Sequence, residues 1–131
     1  MTPAEMGTPS RGARRLVDLN TGRCLATRLQ VADTFLRRFA GLMGRSALGD
    51  GEGLLLEGCK SVHTCFMRFS IDVAYLDRDM WVVAIRPRVK PWCFVGPIPP
   101  GEHTLELPAG TLERLGVLAG HHLDFEESTT P

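Results

Sequence analysis

The chain contains 131 residues, of which 15 are lysine or arginine and 15 are aspartate or glutamate, so its formal net charge at pH 7 is zero. This balance gives no electrostatic reason to expect a nucleic-acid or membrane partner, and no apolar run has the length that a membrane span requires. The length predicts one domain with a buried core.

The first 13 residues are polar and contain Pro3 and Pro9, which predicts a disordered tail. We expect a single β-rich domain over residues 14–126 and a second short tail over residues 127–131. The first 15 residues lack the apolar segment of a secretory signal. We therefore predict a cytoplasmic protein with reduced cysteines.

The first half of the domain begins with a predicted hairpin, in which a turn at residues 20–22 joins strands at 15–19 and 23–29. Asp33 or Thr34 caps a predicted helix over about residues 34–43. Arg38 and Arg45 lie seven residues apart, or two helical turns, and share one side if the helix extends that far. They form either a solvated basic edge or an anion-binding pair.

The stretch from Cys59 to Asp77 combines apolar and chemically capable residues, and a short buried strand at residues 54–56 precedes it. In an extended chain, Cys59, His63, Cys65 and Met67 point the same way. These are soft ligands suited to copper(I) or zinc. Cysteine and methionine are also good core residues, a lone histidine usually hydrogen-bonds to the backbone, and no paired C-x-x-C motif is present. These three points favour a core over a metal site.

Asp72 lies within an apolar run, where a carboxylate must be paired or hydrogen-bonded. In one interpretation Asp72 is a structural carboxylate that holds either backbone amides or an arginine such as Arg68. In the other it is an acid or base with a shifted pKa. A charged turn at residues 78–79 predicts a hairpin between residues 71–77 and 80–85. Both faces of these strands are apolar, so we expect both strands inside the sheet.

In the C-terminal half, five of the nine prolines lie between residues 87 and 100, which predicts an edge strand or a long loop. Residues 103–107 alternate and predict a half-exposed strand. A short helix follows at residues 111–115, ended by Gly116. The last predicted strand, residues 121–125, begins with His121 and His122 on opposite faces, both expected to be solvent-exposed.

Nucleotide-binding glycine loops and the G-x-S-x-G elbow of serine hydrolases are absent from the sequence. Three separated motifs instead resemble the family called domain of unknown function 192. They are R-x-x-G-L-M-x-R at residues 38–45, HTCFMR at 63–68 leading into Ile71-Asp72, and LELPAG at 105–110 followed by Gly116 and Gly120. The resemblance covers about residues 15 to 125. The chain departs from the family pattern at Ser70, where relatives usually have proline, and at His121, where aspartate usually follows the glycine.

The resemblance implies a mainly β fold, a compact single-domain β-sandwich or small barrel with one helix in its N-terminal half, which agrees with the many short strands and the short helical turn predicted near the C-terminus. The resemblance does not specify an activity, the cofactor stays unknown, and many relatives look exported or membrane-anchored. Our first hypothesis is a non-enzymatic ligand-binding or accessory domain. In it a small anion binds at a cluster of five residues, with Lys90 as a further candidate: Arg38, Arg45, His63, Arg68 and Asp72.

Two alternatives stay open. The first is a hydrolase or lyase that uses His63 and Asp72 as acid and base. The second is a soft-metal protein that binds copper or zinc through Cys59, His63, Cys65 and Met67. The partner, a small molecule or another protein, is not specified by the sequence.

Overall fold

The structure of the protein is a computed structural model, and it describes residues 14–32, 48–59, 62–63 and 68–126. These residues form nine strands and one helix: β1 Arg14–Asp18, β2 Cys24–Ala32, β3 Glu52–Leu56, β4 Val62–His63, β5 Ile71–Leu76, β6 Val82–Val89, β7 Phe94–Val95, β8 His103–Pro108, α1 Thr111–Leu115 and β9 Leu123–Glu126. The predicted helix at residues 34–43 and the two predicted tails lie outside the described residues.

Seven of the described strands form one sheet in the order β6-β5-β8-β3-β2-β1-β9. Neighbouring strands are antiparallel except for β2 and β3, which run parallel. Strands β4 and β7 form a separate ribbon in which Val62 pairs with Val95 and His63 with Phe94. The described part of the chain is therefore mainly β with one short helix, and the predicted fold class is confirmed.

The two edges of the sheet meet at one end. Trp81, just before β6, forms a bridge with His122, just before β9. The amide of Val82 donates to the carbonyl of His121 and its carbonyl accepts from the amide of Gly120, both at 2.8 Å. Because these bonds join the first and last strands of the sheet, the sheet curls into a half-barrel.

Each face of the curled sheet carries an apolar cluster. The inner-face cluster has members from all seven strands, and Leu112 and Val117 close one side of it: Leu16, Leu25, Ala26, Leu29, Leu55, Ala74, Leu76, Val82, Leu105, Leu107, Leu112, Val117 and Leu123. The outer-face cluster is covered in part by Cys59, Phe69 and Ile98, and its buried members are Ala32, Leu48, Leu54, Leu56, Ile71, Val73 and Tyr75.

The two predicted hairpins are confirmed, because β1 pairs with β2 and β5 pairs with β6 in antiparallel fashion. Short-range hydrogen bonds hold both turns. In the first turn, Gly22 adopts a φ of 76° and its amide donates to the carbonyl of Asp18 at 2.7 Å. In the second, the Asp77 carboxylate accepts from the amides of Asp79 and Trp81, each at 2.9 Å. A carboxylate that bonds the backbone two residues ahead favours a turn over a continued strand.

Two predictions about strand position are wrong. Strand β8 was expected to be half-exposed, but it lies between β5 and β3, and its four central residues are buried. Of the second hairpin, β5 lies inside the sheet with all six residues buried, whereas β6 lies at an edge. Alternation and apolar content describe a strand's faces, while its place in the sheet depends on pairing with distant segments.

The expectation that His121 and His122 are solvent-exposed is also wrong, because both lie where the sheet edges meet. Nδ1 of His121 lies 2.7 Å from Oδ2 of the fully buried Asp18. The ring of His122 stacks on Trp81 with 4.0 Å between ring centroids, and its Nε2 lies 2.9 Å from the carbonyl of Asp79. Both histidines thus help to close the half-barrel.

Candidate functional site

Asp72 is fully buried, and its carboxylate is engaged with backbone amides. Oδ1 accepts from the amides of Arg88 at 2.9 Å and Gly110 at 3.1 Å, and Oδ2 accepts from the amide of Leu112 at 2.8 Å. Arg88 has a φ of 51° at a bulge in β6, and the other two amides belong to the start of α1. These bonds agree with the interpretation of Asp72 as a structural carboxylate that holds backbone amides.

A second buried carboxyl, that of Glu106, lies on the outer face. Glu106 pairs with Val73 of β5 on one side and with Leu54 of β3 on the other, and side chains of paired residues share a face. It is 5% exposed, and the structure shows no hydrogen bond or ion pair for it among the described residues. Burial raises the pKa of Glu106 from 4.5 to about 8. Its carboxyl group is therefore mostly protonated at neutral pH.

The hydroxyl of Tyr75 is the second polar group on this face. Tyr75 belongs to the outer cluster and is completely buried, and its phenolic oxygen has no hydrogen-bond partner among the described residues. Burial raises its pKa, and this outweighs the opposing effect of the Arg86 guanidinium. The hydroxyl is therefore uncharged at neutral pH and retains an unused donor and an unused acceptor.

Arg86, Cys59 and Thr104 border this pair. Arg86 pairs with Val73, so it continues the row that contains Glu106 toward the edge of the sheet. Thr104 pairs with Tyr75, and its hydroxyl donates to the carbonyl of Cys59 at 2.7 Å. The Cys59 thiol contributes to the raised pKa of Tyr75. We call Tyr75, Glu106, Arg86, Thr104 and Cys59 the outer-face cluster of polar groups.

The five predicted ligand-binding residues are not all placed by the structure. Arg38 and Arg45 lie outside the described residues, and His63 is placed only as part of strand β4. Arg68 is exposed and precedes Phe69, which packs against the outer face. Asp72 shares a face with its partner Leu107, on the inner side of the sheet. The structure thus assigns Asp72 to the face opposite Tyr75 and Glu106.

The soft-metal hypothesis depends on Cys65 and Met67, which lie outside the described residues. Within the part of the chain that the structure describes, no group of three or more histidine, cysteine, aspartate or glutamate residues is arranged to hold a metal ion. Cys59 alone of the four proposed ligands has a described side chain, and it packs on the outer-face apolar cluster. The metal hypothesis stays a prediction.

Sequence reasoning missed Tyr75 and Glu106. A single acidic residue in a strand that alternates between apolar and polar side chains is typical of a solvent-facing position. The useful signal lay in the neighbouring strands, since Leu54 and Leu56 of β3 and the whole of β5 are apolar on the face that Glu106 shares. A strand that pairs between two such strands has both faces covered.

Within the described residues, no helix is both long and apolar enough to cross a membrane. The sequence profile of the DUF192 family, described as an uncharacterised ACR, matches residues 16–125. A UPF0127 protein of Thermococcus sibiricus is 32% identical over 115 residues, which are 85% of this chain and 74% of that protein. A UPF0127 protein of Pyrococcus furiosus is 34% identical over 113 residues, which are 84% of this chain and 97% of that protein.

Two solved structures share the fold. A protein of Sinorhizobium meliloti, crystallised as a candidate transcription regulator, has a TM-score of 0.77 and 24% identity, with 90% of this chain and 95% of that chain covered. A protein of unknown function from Novosphingobium aromaticivorans has a TM-score of 0.74 and 22% identity, with 95% and 98% covered. At this identity the likeness concerns the fold alone. On the match over residues 16–125, this chain belongs to the DUF192 family.

Proposed function

We propose that this chain is a non-enzymatic domain that binds a small anion on the outer face of its sheet. The observation that supports this is the buried pair of Tyr75 and Glu106, neither of which has a hydrogen-bond partner among the described residues. Buried polar groups in folded proteins are normally paired. A ligand that accepts hydrogen bonds supplies the missing partners.

Glu106 is costly to the fold, and this favours a functional role. A carboxyl group whose pKa rises from 4.5 to about 8 on folding makes the native state less stable at neutral pH than an uncharged residue of the same shape would. Natural sequences tolerate such destabilising groups chiefly where function needs them. The middle of β8, between two apolar strands, is otherwise a place for a leucine or valine.

The proposed anion also needs positive charge nearby. Arg86 is exposed at the end of the row that contains Glu106, and Arg68 is exposed beside Phe69, a residue of the outer face. We retain Arg38, Arg45 and His63 as proposed basic groups around the same ligand. Asp72 takes a supporting part in this proposal, since it fixes the bulge of β6 two residues beyond Arg86.

A thermal-shift screen of the full chain tests the function. The panel contains inorganic phosphate, sulfate, sugar phosphates, nucleotides and small organic acids. A ligand at about 100 times its Kd stabilises the protein by about 2.7 kcal/mol, which is readily seen as a rise in Tm. We expect at least one anion to give this rise, and Tyr75→Phe to reduce it. A flat response across the panel, or a rise that Tyr75→Phe and Arg86→Ala leave unchanged, rules the proposal out.

A hydrolase or lyase is the second candidate, and the pKa of Glu106 favours it. A general acid or base works best when its pKa is near the working pH, and that of Glu106 is about 8. In this alternative Glu106 replaces Asp72 as the partner of His63, because the oxygens of Asp72 are occupied by three amides. Turnover of ester, phosphate or glycoside substrates that disappears in Glu106→Gln supports the enzyme; turnover that persists in this variant counts against it.

A further inference from the structure

We infer that the anion bound on the outer face is a small monocarboxylate with an apolar body, held by hydrogen bonds that the Glu106 carboxyl and the Tyr75 hydroxyl donate to its oxygens. This inference rests on the proposed function and names its ligand class. It follows from the positions of the two groups, the charges around them and the apolar surface between them.

The register of the sheet places the two groups close together. Glu106 pairs with Val73, and Thr104, two residues earlier on β8, pairs with Tyr75. Tyr75 and Glu106 are therefore diagonal neighbours on one face, and such neighbours lie roughly 7–8 Å apart at their Cα atoms. Their long side chains and a ligand of a few carbon atoms together span that separation.

Both groups present a hydrogen rather than a charge at neutral pH. A protonated carboxyl and a phenol each donate one hydrogen bond, and a carboxylate offers two oxygens that accept. Hydrogen bonds from a hydroxyl to an ionised oxygen are short and about twice as strong as those between neutral groups. A cation has no corresponding partner here, because neither group carries negative charge below about pH 8.

The charges on the outer face suit one negative charge. Arg86 lies at one end of the row that contains Glu106, and the Cys59 thiol lies near Tyr75. Arg28 and Glu52 are register partners one row away, where Arg28 donates to the carbonyl of Asp50 and Glu52 accepts from the amide of Gly49. Among the described residues, Arg86 is the cation in the row of Glu106, and one guanidinium matches one carboxylate group.

The surface between the polar groups is apolar and buried. The residues that surround Glu106 and Tyr75 on this face are 0–4% exposed and include Leu54, Leu56, Ile71 and Val73. A small-molecule site of this kind combines apolar walls with a few polar groups that fix the ligand's orientation. An acid with an alkyl or aryl body therefore matches both the apolar residues and the two donors of this face.

Ligand binding then depends on pH in a defined direction. The carboxylate binds to protonated Glu106, because an ionised Glu106 repels it and has no hydrogen to donate. With the pKa of Glu106 at about 8, the apparent Kd is nearly constant between about pH 6 and pH 7, where the ligand stays ionised, and rises tenfold for each pH step above 8. Between pH 7 and pH 9 this amounts to about a tenfold loss of affinity.

Isothermal titration calorimetry of the full chain tests the inference, with butyrate, benzoate and phenylacetate as probes and their primary amides as matched controls. We expect the acids to bind at pH 7 and to bind about tenfold more weakly at pH 9. Glu106→Gln keeps a donor but has no ionising carboxyl, so its affinity does not change between these pH values. Glu102→Gln, a half-exposed glutamate of the same region, keeps the tenfold change. Tyr75→Phe binds more weakly at both pH values.

Three results overturn the inference. The first is binding of the amides as tight as that of the acids, and the second is a pH dependence that persists in Glu106→Gln. The third is no binding of any monocarboxylate. If phosphate or another anion stabilises the protein through Tyr75 while no monocarboxylate binds, the ligand class is wrong and the proposed function stands. If no anion of any class binds, both are wrong.

Discussion

Replacing Glu106 by glutamine is expected to stabilise the ligand-free protein, by an amount that grows with pH. The carboxyl of Glu106 is buried in the middle of the sheet, and its pKa rises from 4.5 to about 8 on folding. Between these two pH values the native state holds a proton that the unfolded chain releases. The free energy of unfolding of the wild type therefore falls as pH rises across this window. Glutamine has no proton to lose, so this part of the pH dependence disappears.

The magnitude follows from the size of the pKa rise. Each step of one in pKa corresponds to about 1.36 kcal/mol. At pH 4 the two proteins differ little, since Glu106 is protonated in both the native and the unfolded state. At pH 7 the variant is more stable than the wild type by about 3 kcal/mol, and above pH 8 the difference levels off at about 5 kcal/mol. A difference of this size at pH 7 moves the Tm by on the order of 10 °C.

Urea denaturation of both proteins from pH 4 to pH 9, followed by circular dichroism, measures this difference. Glu102→Gln serves as the matched control, because its carboxyl is half-exposed, and it is expected to track the wild type at every pH. The predicted pH dependence is refuted if the difference between the free energies of unfolding of the wild type and Glu106→Gln is the same at every pH from 4 to 9. That outcome means that the Glu106 carboxyl has an ordinary pKa and reaches water.

Three further substitutions test individual contacts. Tyr75→Phe removes a buried hydroxyl that has no partner among the described residues, so thermal denaturation without ligand is expected to show a gain of about 1 kcal/mol; a loss of that size means that the hydroxyl is bonded. Asp72→Ala removes the acceptor of three backbone amides. It is expected to lower the free energy of unfolding in urea by about 4 kcal/mol and to make hydrogen exchange at the Leu112 amide fast. Slow exchange there contradicts the role of Asp72 as the acceptor for this amide. His121→Ala leaves Oδ2 of the buried Asp18 carboxylate without its 2.7 Å partner. It is expected to lower the free energy of unfolding in urea by about 3 kcal/mol. A change below about 0.5 kcal/mol, which is usual for surface substitutions, refutes this contact.

Much of the local structure was predictable because it depends on residues close together in the sequence. The turns at Gly22 and Asp77 are held by bonds that span only a few residues, and both hairpins follow from them. The helix from Thr111 ends at Gly116, which adopts a φ of 69°, a conformation that glycine takes without strain. The family resemblance carried the fold class in the same way, through motifs that can be read along the chain.

The candidate site was only partly predictable. Asp72 was identified as a buried carboxylate that needs partners, but its three donors are 16, 38 and 40 residues away along the chain. The predicted contributions of Arg38, Arg45 and His63 depend on side chains that the structure does not describe. Tyr75 and Glu106 were not identified as site residues. Tyr75 belongs to none of the quoted motifs, and Glu106, although it is part of LELPAG, lies in an alternating strand that was predicted to be half-exposed.

The sequence by itself determined where the two hairpins turn, because turn chemistry acts over a few residues. The strand ends were not determined in this way, since β2 continues to Ala32 and β6 to Val89, beyond the predicted ends at residues 29 and 85. The tertiary structure decided which strands lie side by side. Placing β8 between β5 and β3 buries Glu106, and joining the edges at Trp81 and His122 leaves the two histidines half-buried. These outcomes depend on pairing between distant segments, and it is this pairing that takes the Glu106 carboxyl out of water and raises its pKa.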